Sequence, residues 1–130
     1  MILVDSSVWI DFLSASPGPA GRELRRLITE GEPIALTGII VAEVLQGLTR
    51  DVDRIEQLLA LFDLLEAKGF ATYREAAALF RLARSRGLTL TTADALIAAV
   101  ALEHRASVFS LDADFKRVAR LAPLRPYEFG

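Results

Sequence analysis

Four carboxylates in this chain adjoin runs of apolar residues, where an ionised group is costly. They are Asp5, Glu43, Asp94 and Asp112. A buried carboxylate without a partner loses several kcal/mol of hydration, so such groups are normally paired, protonated or bound to a metal. The two lysines, Lys68 and Lys116, lie outside these segments. The sequence therefore predicts one acidic cluster, drawn from distant segments, that holds a divalent cation.

The elements that must position these acids alternate between strand and helix patterns. Short apolar runs predict strands at Ile2–Val4, Ile34–Leu36, Leu64-Leu65 and Ser107–Leu111, with an edge strand after Leu124. This alternation is typical of an α/β fold with three layers, α/β/α, around a central, mostly parallel sheet. Such sheets bind ligands beyond the carboxyl ends of their strands. Right-handed crossovers would bring all four acids to that edge.

Capping residues and glycines predict where the helices begin and end. The predicted N-caps are Ser6 or Ser7, Thr37, Asp51, Thr72 (with Glu75 in a capping box) and Thr91 (with Asp94). The predicted helices run to Leu13, over 20–30, from Thr37 to Gly47, after Asp51, from Thr72 to Gly87, from Thr91 to Glu103 and over 114–121. These boundaries follow from side-chain oxygens that satisfy free N–H groups and from glycines that end helices.

Composition favours one globular domain covering residues 1–130. Hydrophobic residues make up 52% of the chain and charged residues 25%, and there is no cysteine. The N-terminal segment lacks a secretory pattern and no apolar run has membrane-spanning length, so we expect a cytoplasmic protein without a membrane partner. The net charge of −2 argues against loose binding to nucleic acid. Thirteen of the 15 basic residues are arginines, whose clusters either bind phosphate or form solvated helix faces.

Four motifs, in order along the chain, resemble those of PIN-domain ribonucleases, and among these the VapC toxins of toxin–antitoxin pairs. They are Asp5-Ser6-Ser7-Val8-Trp9-Ile10, Glu43-Val44-Leu45-Gln46-Gly47, Thr92-Ala93-Asp94-Ala95-Leu96-Ile97-Ala98 and Ser110-Leu111-Asp112-Ala113-Asp114-Phe115. An aspartate after a strand is common, so each motif alone is weak. Together the four are specific, and the resemblance covers essentially the whole chain.

The resemblance implies a metal-dependent endoribonuclease that cleaves RNA with an activated water and uses Mg²⁺, for which Mn²⁺ substitutes. It assigns catalysis to Asp5, Glu43, Asp94 and Asp112, metal binding to Asp5, Asp94 and Asp112, and supporting roles to Ser6, Ser110 and Asp114. The implied partners are RNA, a cognate VapB-type antitoxin and a second copy of the chain in a homodimer. The apolar helices between Thr37 and Leu65 suggest a groove for an antitoxin helix.

Each residue also has an ordinary structural interpretation. Asp5 suits a helix cap, Glu43 an ion pair with Arg50, Asp94 a capping box, and Asp112 and Asp114 a turn. His104 is interpreted as structural, because a helix C-terminus favours a cation. Trp9 and Phe109 are expected in the core, whereas Phe115, beside the acidic turn, fits either the core or a base-stacking role.

Three rival functions compete with the nuclease. A response-regulator receiver needs a lysine at a late strand end, and neither lysine is suitably placed. A haloacid-dehalogenase-type phosphatase needs Asp-x-Asp after its first strand, whereas Asp5 is followed by Ser6-Ser7. The third is a non-cleaving PIN-fold module that binds RNA or a protein partner, which a cleavage assay with and without metal separates from an enzyme.

Overall fold

A computed structural model describes residues 1–130 as a central sheet flanked by helices. In chain order the elements are β1 (Ile2–Val4), α1 (Ser6–Leu13), α2 (Pro19–Thr29), β2 (Ile34–Thr37), α3 (Gly38–Gln46), α4 (Val52–Leu59), β3 (Asp63–Leu65), α5 (Phe70–Ser85), α6 (Thr92–His104), β4 (Ser107–Phe109), α7 (Asp114–Val118) and β5 (Arg125–Pro126). None of the seven helices combines the length and apolar character needed to cross a membrane.

The five strands form one sheet in the order β3-β2-β1-β4-β5, and every pairing is parallel. The α/β prediction is confirmed, and the sheet is wholly rather than mostly parallel. Strands β2 and β3 lie on one side of β1, and β4 and β5 lie on the other side. The connection from β3 to β4 therefore crosses the sheet past β2 and β1. Right-handed crossovers therefore place α1–α4 on one face of the sheet and α5 and α6 on the other.

Strand β1 is central because its apolar residues are covered on both faces. Leu3 and Val4 are buried, as is the whole of β2. Ile2 pairs with Ile34 of β2 on one side and with Ser107 of β4 on the other. The carboxyl ends of these three strands consequently lie side by side, and the segments that follow them share one edge of the sheet.

Several predicted boundaries differ from the structure, each for a local reason. Ser6 and Ser7 lie inside α1, whose N-cap position is Asp5. Asp51 does precede α4, but its backbone is left-handed (φ 59°) and its carboxylate pairs with Arg54 instead of capping the helix. Strand β4 ends at Phe109, two residues early, because Ser110 turns into the acidic loop.

The capping box predicted at Thr72 is wrong. Helix α5 begins two residues earlier, at Phe70, and Thr72 is fully buried within its first turn. The Thr72 hydroxyl donates to Glu103 at 2.5 Å and accepts from the backbone N–H of Lys68. A contact distant in sequence thus outweighed the local cap. Thr37 and Thr91 do cap α3 and α6, accepting from the N–H groups of Ile40 and Asp94.

Candidate active site

The segments that follow β1 and β4 meet at the carboxyl edge of the sheet. Asp5 comes directly after β1 and its N–H donates to the Phe109 carbonyl at the end of β4. Asp112 lies three residues further along, in the loop before α7. Asp94 occupies the first turn of α6, and Glu43 lies within α3. These positions agree with the convergence expected from the sheet topology.

Asp5 is a buried carboxylate held by two hydroxyl groups. It is 5% exposed, and its Oδ2 accepts from Ser7 Oγ at 3.0 Å and from Ser110 Oγ at 2.7 Å. Ser7 Oγ also accepts from the N–H of Leu111, which ties α1 to the acidic loop. The two serines therefore fix the orientation of Asp5 and leave its Oδ1 without a hydrogen bond.

Ser7 was missed by the sequence prediction, which assigned the supporting hydroxyl to Ser6. Ser6 and Ser7 are adjacent in the first turn of α1, so they point to different sides of the helix. Only the exact start of the helix determines which of the two faces Asp5. Ser6 instead lies near Glu43, where its hydroxyl favours the ionised carboxylate and lowers the Glu43 pKa. Each serine of the pair thus serves a different acid.

Three carboxylates approach one another closely enough to share a cation. One oxygen each of Asp94, Asp112 and Asp114 lies within 4.8 Å of the others. Asp112 also holds the loop, since its Oδ1 accepts from the N–H of Asp114, as the turn interpretation predicted. Arg117 donates to Asp114 at 2.6 Å and is the one basic side chain paired with any acid of the group. This group of three carboxylates includes Asp114, to which the sequence analysis gave a supporting role. It does not include Asp5, which was predicted as a metal ligand.

Glu43 is a carboxylate without an ion pair. Its Oε1 is buried and makes no hydrogen bond, and the pairing with Arg50 considered from the sequence is absent. Burial raises the pKa of Glu43, and the negative charge of Asp5 raises it further. A buried carboxylate oxygen that lacks a hydrogen bond and lies near other acids is suited to bind a cation or to accept a proton.

The electrostatics of Asp94 link all four predicted acids. Burial raises the pKa of Asp94 to about 6, and the charge of Asp112 is the next cause. Asp5 and Glu43 contribute smaller increases, while a hydrogen bond with Thr91 opposes them. Mutual repulsion of this kind requires that the carboxylates lie close together. A set of carboxylate oxygens this close together fits a hard divalent cation such as Mg²⁺ or Mn²⁺.

The remaining candidates lie away from the acids or in the core. His104 Nε2 forms a hydrogen bond with the Glu66 carbonyl at the opposite end of α6. Trp9 and Phe109 are fully buried, as expected. Phe115 is 3% exposed, so its ring is packed in the core and is not free to stack on a base.

Comparison with known proteins identifies the class. The family model described as "PIN domain" matches residues 2–121, so the chain belongs to the PIN-domain family. Within that family it belongs to the VapC ribonucleases: it is 35% identical to VapC ribonuclease Mb1587 of Mycobacterium bovis over 99% of both chains.

Solved structures share the fold over the full length of the chain. The VapBC2 structure from Rickettsia felis, bound to a promoter DNA fragment, matches with a TM-score of 0.75 and 19% identity over 100% of both chains. A toxin–antitoxin complex from Klebsiella pneumoniae matches with a TM-score of 0.74 and 23% identity, over 99% of this chain and 100% of that one. At these identities the likeness supports the α/β/α architecture alone.

Proposed function

We propose that this protein is a metal-dependent endoribonuclease in which Asp5, Glu43, Asp94 and Asp112 are the catalytic acids. The observation that carries the proposal is the approach of carboxylate oxygens of Asp94, Asp112 and Asp114 to within 4.8 Å of one another, beside Asp5. Burial first, and then the charge of Asp112, raises the pKa of Asp94, as is common at functional sites. The name of its relative, a ribonuclease, supplies the reaction class.

In this proposal Asp94 and Asp112 hold a divalent cation, with Asp5 contributing charge through its free oxygen and Asp114 through its place in the close set. Such a cation lowers the pKa of water and offsets charge on a phosphodiester. Ser7 and Ser110 hold Asp5 in one orientation by donating to its Oδ2. Ser110 also accepts from the N–H of Asp112, which sets the loop against β1.

Glu43 is the proposed general base. Its raised pKa increases its affinity for a proton, and its buried oxygen has no competing partner. A carboxylate with these properties can accept the proton of an attacking water. Attack by water predicts products with 5′-phosphate and 3′-hydroxyl ends. The chain's single histidine lies at the far end of α6, which leaves no histidine pair for a 2′-hydroxyl route.

The test is cleavage of a panel of structured RNAs by the purified chain with Mg²⁺ or Mn²⁺, and with EDTA. We expect selective cleavage with metal and none with EDTA. Asp112→Asn should reduce the rate at least about 100-fold, in line with losses on removing metal-site groups. Asp53→Asn, a matched loss of an exposed acid in α4, should cleave normally. Intact RNA throughout, or 2′,3′-cyclic ends, would contradict the proposal.

We also propose that the protein acts as the toxin of a toxin–antitoxin pair and is inhibited by a VapB-type antitoxin. A groove of about 360 Å³ lies between α3, α4 and β3. Its apolar lining includes Val41, Leu45, Leu59 and Leu64, with Glu56 at its rim. An amphipathic helix with basic flanks matches this surface. The groove falls within the segment that the sequence suggested.

The antitoxin proposal is tested with the protein encoded beside this one. Leu64 is 50% exposed, so Leu64→Asp should fold, cleave RNA and lose inhibition by that protein. Ile10→Asp, at a similarly exposed position on α1, is the matched control and should remain inhibited. Full inhibition of both variants would place the partner elsewhere.

A further inference from the structure

A cleft opens beside the acid cluster, between the loop that follows β4 and the tail that follows β5. Its volume is about 500 Å³. The side chains that line it are Ser110, Asp112, Lys116, Tyr127, Glu128 and Phe129. Because Asp112 lines it and Ser110 holds Asp5, the cleft is continuous with the candidate active site. A ligand in the cleft would therefore lie beside Asp112, which also belongs to the acid cluster.

Phe129 presents a partly exposed aromatic ring that packs against the core at a tilt of 59° to Phe109. Its ring packs on Phe109 at 5.2 Å between centroids, and Phe109 is 1% exposed. Phe129 itself is 41% exposed, so only one part of the ring is covered. The tail is fixed next to it, because the Tyr127 hydroxyl donates to Glu23 at 2.6 Å and the Tyr127 ring packs on Phe109. The exposed part of the Phe129 ring is therefore held in position by these contacts.

Lys116 supplies an unengaged positive charge in the same cleft. All four ion pairs of the chain use arginines, so the Lys116 ammonium has no carboxylate partner. Glu128 also lines the cleft, and its charge would repel a ligand that is anionic throughout. A ligand with a phosphate on one side and an uncharged aromatic group on the other suits this arrangement. A nucleotide within an RNA strand has that composition.

We propose that this cleft is a nucleotide subsite, in which Phe129 stacks on a base next to the scissile phosphodiester and Lys116 contacts a phosphate. The inference rests on the proposed ribonuclease function and adds the residues that position the RNA strand. Stacking on an aromatic ring is tolerant of base identity, so the subsite supplies affinity and register and leaves sequence choice to other contacts.

The test measures binding in EDTA, where the proposed nuclease is inactive, with fluorescein-labelled octamers of adenylate and uridylate RNA. Phe129→Ala should weaken binding about 5- to 100-fold, the range for loss of one stacked base. Phe129→Trp should bind as wild type or tighter. Phe129→Leu still covers Phe109 but has no aromatic face, so it should lose most of the affinity. Thermal melts of each variant check that it is folded.

Two further comparisons separate stacking from general stickiness. With an abasic octamer of the same charge, wild type and Phe129→Ala should bind alike. Lys116→Gln should reduce the salt dependence of binding by about one phosphate contact, whereas Arg86→Gln, a matched loss of an exposed cation at the end of α5, should not.

The proposal is overturned if wild type binds neither octamer, if folded Phe129→Ala binds both as tightly as wild type, or if the abasic octamer is equally sensitive to Phe129. A separate outcome concerns the enzyme. If Phe129-dependent binding is found but no RNA is cleaved with Mg²⁺ or Mn²⁺, the subsite stands and the nuclease proposal fails.

Discussion

At the scale of single residues, repulsion within the acid cluster lowers the stability of the folded protein in the absence of metal. Asp94, Asp112 and Asp114 approach within 4.8 Å, and Arg117 alone among the basic side chains offsets their charge. Like charges this close destabilise the folded protein unless a cation or a proton intervenes. Two consequences follow for Asp94, one for metal and one for pH.

Replacing Asp94 by asparagine should separate a metal ligand from a structural cap. In EDTA, Asp94→Asn should be at least as stable as wild type, because one repulsive charge is lost and the N–H bond to Thr91 Oγ1 remains. Mn²⁺ at a hundredfold excess over Kd should stabilise wild type by about 2.7 kcal/mol and the variant much less. Paired thermal melts measure this, and an undiminished metal shift in a destabilised variant would contradict the metal role.

The pKa of Asp94 also sets a direction for pH. Because the pKa rises from 3.8 to about 6 on folding, the folded chain binds the proton more tightly than the unfolded chain does. The contribution of Asp94 to metal-free stability should therefore fall as pH rises from about 4 to 6, by about 1–2 kcal/mol after allowance for partial exposure. Denaturant titrations should show this fall in the difference between wild type and Asp94→Asn, and a flat difference would contradict it.

The serine pair provides a test of the Asp5 environment. Ser7→Ala removes a donor to Asp5 and the acceptor for the Leu111 N–H, so it should cost about 1–3 kcal/mol in EDTA. Ser16→Ala removes an exposed hydroxyl that makes no hydrogen bond within the protein and should cost under about 0.5 kcal/mol. Equal losses in chemical denaturation would show that the Ser7 contacts have no special weight.

The sequence identified the acids but not all of their neighbours. A carboxylate beside a long apolar run is improbable without a role, so its type and position suffice to single it out. Ser7 is recognisable only through contacts made by the fold, because its role depends on helix phase. Arg117 pairs with Asp114 three residues earlier in α7, a spacing that the sequence already contains. The order and type of residues therefore predict which acids come together, and packing decides which groups contact them.

At the scale of elements, close helix packing depends on one glycine. A Cβ built on Gly21 would lie 2.9 Å from the Phe12 backbone, so α1 and α2 can approach only because this residue lacks a side chain. Asp11 strengthens the same contact by accepting from the N–H groups of Gly18 and Gly21. These hydrogen bonds lower the pKa of Asp11. The segment between the two helices is thus held by hydrogen bonds from its backbone N–H groups to the Asp11 carboxylate.

Gly21→Ala should therefore destabilise the protein, by about 1–3 kcal/mol for an overpacked contact. Gly38→Ala is the matched control, since a Cβ added at Gly38 would have no atom within 4 Å and this residue starts helix α3. That control should be neutral or stabilising by up to about 1 kcal/mol. Urea unfolding of both variants decides, and two similar values would contradict the packing argument.

Element types were more predictable than element ends. Strands β1, β2 and β4 follow from apolar runs because those runs reflect burial, whereas β3 and β5 are largely unburied edge strands with weaker patterns. The seven helices follow from helical periodicity and from their flanking residues. The start of α5 was mispredicted because Thr72 satisfies Glu103 from across the α5–α6 contact. The spacing of Thr72 and Glu75 indicates a capping box, whereas the contact with Glu103 cannot be seen in the local sequence. The prediction therefore placed the helix start at the capping box.

At the scale of the whole molecule, an apolar strip on α5 favours association with a second copy. Phe70 and Tyr73 are 80% and 56% exposed, beside a cavity of about 430 Å³ between α5 and α6. We expect sedimentation to give a mass near twice the 14.2 kDa of one chain. Tyr73→Glu should shift the protein towards the monomer, whereas Leu61→Glu, at another exposed apolar position, should not. A monomeric wild type would exclude the homodimer.

The central place of β1 has a consequence for how the protein is made. Strand β1 pairs with β2, which follows about 30 residues later in the chain, and with β4, whose register places Ile2 opposite Ser107. Until the segment that contains Ser110 and Asp112 has been translated, Asp5 has neither residue beside it, so a nascent chain is unable to assemble the acid cluster. The cluster therefore forms only after more than 100 further residues have followed Asp5, which delays whatever chemistry it performs until β4 has paired with β1.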